Sequence, residues 1–251
     1  MRHRPILVLL LFGIAFGYLE GAVVVYLRAL HEPVRLHYYP GRNANELFPL
    51  LTLDQLRTAA PEQQKILAIE IGREASTMIM LAAIALAVSQ SRRQWLAAFA
   101  IVFGVWDTVF YLTLKLLLGW PASLLTWDIL FLIPVPWVGP VITPVLVALA
   151  MIAGGIWCLR RDAAGNPLRI ARWNTAGVLL GALIIIISFT LDYRNILAGG
   201  QPNPFHWGVF ALGIAVGAGS FLPAGFRQPA SNTGSEPARL PDVRSASFGH
   251  D

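Results

Sequence analysis

Six mostly apolar runs recur along the chain, at about 5–29, 66–90, 95–118, 142–160, 174–193 and 205–225, separated by polar or Gly/Pro-rich segments. Each is close to the roughly 20 residues an α-helix needs to cross a bilayer. The first follows Arg2, His3 and Arg4 and passes Ala15-Phe16-Gly17, a weak small-x-small signature, to reach about Leu30. That is longer than the apolar core of about 7–15 residues in a signal peptide, so a retained first helix is predicted. Residues 31–65 read as a polar external loop. It has a turn at Tyr39-Pro40-Gly41, capping-box spacing at Thr52 and Gln55 for a short helix around 53–60, and a helix start at Pro61-Glu62.

The segment 119–141 decides the count of crossings. Gly119 suits a helix end and Pro121 a new first turn, so PASLLTWDILFLI reads as a helix stopped before Pro134. Pro134, Pro136 and Pro140 then forbid regular helix through PVPWVGP. A helix of that length covers about 20 Å against about 30 Å of hydrocarbon. Residues 121–141 are therefore expected to be re-entrant or surface-lying and to return to the side they left. The predicted fold class is an all-α integral membrane protein, a bundle of about six transmembrane helices. Residues 1–226 form one transmembrane domain, followed by a disordered cytoplasmic tail at 227–251.

Composition agrees: 56% of residues are hydrophobic and 13% charged, where a soluble domain carries about 25% charged residues. Charge sets the orientation. The short segments SRRQ and LRRDAAGNPLRIAR are strongly basic, which places them in the cytoplasm, with both termini and the tail arginines Arg227, Arg239 and Arg244. Arg35, Arg42 and Arg57 on the other side oppose this bias without reversing it. Trp95, Trp157 and Trp173 then fall at inner interfaces and Trp120, Trp127, Trp137 and Trp207 at outer ones, leaving Trp106 mid-helix. The net charge of +5 sits mainly at helix ends and not in an aromatic-interleaved patch, so nucleic acid is excluded as a partner and the bilayer is the expected one. Cys158 is alone and reads as packing.

On this topology the costly intramembrane groups share one leaflet, the outer. They are Glu20; Glu70, Arg73 and Glu74; Asp107, Tyr111 and Lys115; Asp128; Asp192 and Arg194; and His206. Glu70, Arg73, Glu74 and Thr77 make one helical stripe, and Asp107, Tyr111 and Lys115 another. Glu20, Asp192 and His206 lie near faces rich in glycine, where helices approach closely. Acids outnumber bases, so some carboxylates must be protonated, hydrated or cation-bound. An outward-opening acidic cavity accounts for this most simply.

Glu70, Glu74 and Asp107 are the candidates for acid–base groups or cation ligands. Arg73, Tyr111, Lys115 and Arg194, with Arg28 at the rim, are candidates for contacting a headgroup. Glu20, Asp128, Asp192 and His206 form a weaker metal set, suited to a hard divalent cation. HExxH, GxSxG, CxxCH and a phosphate-binding loop are all absent. Three readings follow: an enzyme or binding protein for a lipid-like substrate at the outer leaflet, a small proton- or cation-coupled transporter, or a non-catalytic subunit held by an ion-pair network. Sequence leaves open whether the protein is an enzyme, and its oligomeric state.

The strings FGVWDTVFYLTLKLLLGWP (103–121) and SLLTWDILFLIPVPWVGPVITPVLVALAMI (123–152) resemble those of an uncharacterised family of bacterial multi-pass membrane proteins, with weaker similarity around EIGREAST. The resemblance implies a bacterial inner-membrane setting and carries no catalytic assignment.

Overall fold

The computed structural model describes residues 4–59, 61–168 and 170–226; the expected tail at 227–251 and its arginines lie outside the described residues, as do Arg2, His3 and Arg169. The chain forms α1 (Arg4–Tyr38), α2 (Leu53–Ala59), α3 (Pro61–Ala87), α4 (Arg92–Leu118), strands β1 (Trp127–Phe131) and β2 (Trp137–Pro140), α5 (Ile142–Ala163), α6 (Arg172–Thr190), α7 (Tyr193–Leu197) and α8 (Trp207–Phe226). Four stretches are long and apolar enough to cross a membrane: α1, α4, α5, and α6 continued through α7. Helix α3 has comparable length, but Glu70, Arg73 and Glu74 interrupt its apolar character. Helix α8 offers a shorter apolar stretch, Trp207–Leu222.

The first helix outruns its expected end. It continues for 35 residues, about 52 Å at 1.5 Å per residue, so the polar loop begins near Tyr39 and not at 31. No glycine breaks the segment after Gly21, and Pro33 is accommodated within the helix. Polar side chains satisfy its far end. Arg35 forms a two-pronged pair with Glu32, at 2.6 and 2.7 Å, and donates to the Arg42 carbonyl at 2.5 Å. The chain then turns through Gly41, whose φ of 75° is the left-handed conformation that glycine adopts freely. The capping box forms as spaced: Thr52 N–H donates to Gln55 Oε1 at 2.8 Å and Gln55 N–H to Thr52 Oγ1 at 3.2 Å, and α2 follows.

Helix α4 is the axis of the bundle. Ser91 caps its start by accepting from Gln94 N–H, and Gly119 closes it in the left-handed conformation. Helix α1 runs parallel to it, with Gly13, Gly17 and Gly21 against Val105, Val109 and Thr113. Helix α5 runs antiparallel, with Gly104 against Ala148 and Gly155 against Ala97. Helices α6 and α8 form a second antiparallel pair, where Gly181 meets Gly213 and Gly217, and Asn174 Nδ2 donates to the Ser220 carbonyl at 2.6 Å. Without a hydrophobic driving force in lipid, such backbone proximity is what holds helices together.

The ends of the bundle can be told apart. Arg93 reaches from the start of α4 to Asp162 at 2.9 Å and to the Leu168 carbonyl at 3.4 Å, so both arginine-rich segments lie at one end. At the other end, Arg28 donates to Asn45 at 2.7 Å, and Asn45 donates to the Leu118 carbonyl at 3.0 Å. Near the arginine-rich end, Leu9, Leu81, Ala85, Ala98, Ile101 and Val102 form a close-packed apolar plug, each at most 1% exposed.

Residues 121–141 correct the sequence reading. They form no helix; β1 and β2 pair as an antiparallel hairpin with Trp127 opposite Pro140, Asp128 opposite Gly139 and Phe131 opposite Trp137. The aromatic and β-branched residues of WDILF and of Trp137-Val138 fit a pleated ladder, and the prolines fall at the turn and at the last position of β2, positions that sheets tolerate. The chain does return to the end of the bundle it left. Phe131, at the tip, packs on Trp106 with ring centroids 6.4 Å apart. Trp106 lies twelve residues inside the end of α4, so the hairpin penetrates about 18 Å along that helix.

Candidate functional site

Helices α1 and α3 join through an Arg73 ion-pair group, and α3 and α4 each bond the hairpin. The Arg73 guanidinium pairs with Glu20 of α1 and with Glu70 one turn earlier on α3, so it ties the two helices. Glu20, 5% exposed, also accepts from Thr77 Oγ1 at 3.4 Å. The predicted stripe thus exists but splits in its partners. Glu74 turns to the hairpin and accepts the Leu132 backbone N–H at 2.9 Å.

That contact assigns Glu74 a specific physical task. An irregular backbone at membrane depth survives only if its polar groups are satisfied within the protein. Glu74→Gln keeps a carbonyl acceptor for Leu132 N–H, so its melting temperature in detergent should stay within a few degrees of wild type. Glu74→Leu removes the acceptor and should cost about 1–3 kcal/mol. Equal loss in both variants would show instead that the charge itself is needed.

Asp107, Tyr111 and Asp128 form a second group. Tyr111 Oη donates to Asp128 Oδ2 at 2.8 Å, pinning β1 to α4. Arg28 acts on Asp128 electrostatically while its guanidinium lies over the Trp120 ring, 5.2 Å from the centroid. Asp107 interacts electrostatically with Asp128. Asp107 is 8% exposed, and its Oδ2 has no hydrogen-bond partner among the described residues. The indole N–H groups of Trp106 and Trp137 are likewise buried without an acceptor among the described residues, and both rings flank Phe131. Two of the polar groups that sequence assigned to a cavity are met by the hairpin itself: Asp128 by Tyr111 and Glu74 by the Leu132 N–H.

Other candidates lie apart. Lys115 shares the Asp107–Tyr111 stripe by spacing, but its ammonium donates to the Pro121 carbonyl at 2.8 Å and reaches that of Gly119 at 3.4 Å, so it closes the helix end and does not join the acids. Arg194 stacks on its neighbour Tyr193 at the surface. Asp192 accepts from Asn195 and Asn203, and His206 is exposed. The weak metal set of Glu20, Asp128, Asp192 and His206 does not assemble. Among the described residues no three His, Cys, Asp or Glu side chains gather in a way that could hold a metal ion. Cys158 is buried and free, as packing requires.

Sequence spacing missed the Leu132 N–H and Asn45, which come from outside the helices, and the buried indoles of Trp106 and Trp137, which had no signal beyond the interfacial preference of tryptophan. Comparison with protein-family models, curated proteins and solved structures finds no match to this chain.

Proposed function

We propose that the chain is a six-crossing protein of the bacterial inner membrane, with both termini and the arginine-rich segments in the cytoplasm. In this reading it is an enzyme or binding protein for an amphiphilic molecule taken from the outer leaflet. The observation that carries it is the asymmetry of the interior. Near the arginine-rich end the helices close on an apolar plug from Leu9 to Val102, while Glu20, Glu70, Arg73, Glu74, Asp107 and Asp128 gather around the hairpin that enters from the opposite end. A one-sided polar interior fits a ligand that enters and leaves on the same side. A carrier would need a polar route through the plug.

Asp107 is the group placed to meet such a ligand, with Glu70 and Arg73 on the neighbouring helix. The test is labelling with a membrane-impermeant thiol reagent of Glu70→Cys, Asp107→Cys and His206→Cys, each in a Cys158→Ala background. Reaction from the periplasmic face alone is expected. Reaction from both faces would replace this reading with cation-coupled transport. Folded protein in which positions 70 and 107 react from neither face would reduce the cluster to an ion-pair network that sets helix register.

A further inference from the structure

We infer that the ligand of this site carries an ammonium group, which the Asp107 carboxylate receives beside the hairpin. The inference rests on the one-sided site proposed above and adds its chemistry. A buried carboxylate oxygen without a donor is costly, and retained protein structure normally supplies one. Among the described residues, the cations of this end of the bundle are engaged elsewhere. Arg73 is committed to Glu20 and Glu70, Arg28 to Asn45 and the Trp120 face, and Lys115 to backbone carbonyls. Tyr111, the hydroxyl one turn away, gives its proton to Asp128. Asp107 Oδ2 is left without a donor among the described residues, open to one from a ligand.

The surroundings suit an organic cation better than a bare metal ion. No third carboxylate or imidazole completes a metal shell among the described residues. Instead, Trp106, Phe110 and Tyr111 run along α4 in ring contact, and Tyr111 meets Trp120 at 6.3 Å. Aromatic faces attract ammonium groups through their quadrupole, most strongly where water is excluded. The indole N–H groups of Trp106 and Trp137, without an acceptor among the described residues, are donors of the kind an oxygen near the amine needs. One carboxylate, aromatic rings and N–H donors are the groups that an amino-alcohol headgroup or its ester engages.

The same chemistry occurs in an aminophospholipid and in a free amine, and the assay separates them. Full-length protein in nanodiscs of phosphatidylglycerol with a minor fraction of phosphatidylethanolamine is examined by native mass spectrometry for retained lipid. A parallel thermal-shift titration uses ethanolamine in solution. Wild type should retain phosphatidylethanolamine several-fold above its share of the bilayer. Asp107→Asn should lower that enrichment about tenfold or more, the range for a lost charge-assisted hydrogen bond. Asp107→Glu should keep part of it, and Glu32→Gln, exposed beside Arg35, should leave it unchanged.

A thermal shift with ethanolamine and no lipid enrichment would place the amine in solution and keep the ammonium assignment. Wild type with neither lipid enrichment nor thermal shift overturns the inference, whatever the variants do. One-sided labelling at position 107 in that case would leave the proposed function standing without it.

Discussion

Arg73→Met should be the most damaging single charge change in this protein. It leaves Glu20 buried at 5% exposure without its partner, and removing one member of a buried pair costs about 3–5 kcal/mol. The loss should appear as a marked fall in melting temperature in mild detergent. Its cause can be isolated, because Glu20→Gln in the Arg73→Met background removes the orphaned charge and should recover a large part of the stability. Thr77 can donate to the new amide oxygen as it does to the carboxylate. If the double variant were no more stable than Arg73→Met alone, the guanidinium would be holding α1 and α3 together by something other than this pair. Glu70→Gln should be milder, since Glu70 is a turn away on the same helix and joins no second element.

Gly181→Leu should separate α6 from α8. A Cβ at position 181 would fall 2.6 Å from the Gly217 nitrogen and 2.7 Å from the Gly213 carbonyl oxygen, atoms of backbone that cannot rotate aside. Overpacking a close contact typically costs about 1–3 kcal/mol, and backbone contacts leave little room for relief by a rotamer change. Gly219→Leu, on α8 but with nothing within 4 Å of its Cβ position, is the matched control and should unfold as wild type does. The readout is thermal unfolding in detergent. Equal effects of the two leucines would remove the glycine contact as the reason these helices associate.

These two variants probe features that differ in how well sequence shows them. The α6–α8 contact follows from spacing: glycines four apart on facing helices are an approach surface wherever two such helices meet. The Arg73 pair follows only by half. The i, i+3 relation to Glu70 is local and could be seen in the sequence, whereas Glu20 is remote along the chain and becomes a partner only because Gly17 and Gly21 let α1 settle beside α4. Lys115 shows the reverse error. Its i+4 spacing from Tyr111 placed it in the acidic group, but the carbonyls exposed where α4 ends at Gly119 were nearer partners for a flexible ammonium.

The segment 121–141 shows where local reasoning reaches its limit. Its prolines correctly excluded a crossing helix, and its length correctly implied a return to the same end. The apolar run after Pro121 reads as a short helix, and a strand at Trp127–Phe131 was not expected. What decides between strand and helix is a ladder partner, and β2 lies beyond the prolines. A hairpin at this depth also needs its tip satisfied, which Glu74 supplies from a helix more than fifty residues earlier.

Sequence alone determined that the chain carries helices long and apolar enough to cross a bilayer, which connecting segments are basic, where most helices lie and which residues share a face. Those properties follow from hydropathy and helical period, which act over one or two turns. Tertiary structure decided the hairpin, the division of the charged stripe between Glu20 and Leu132, and the isolation of Asp107. A carboxylate's partner in a low-dielectric interior is whichever donor the packing brings within about 3 Å, and no local pattern along the chain encodes that distance.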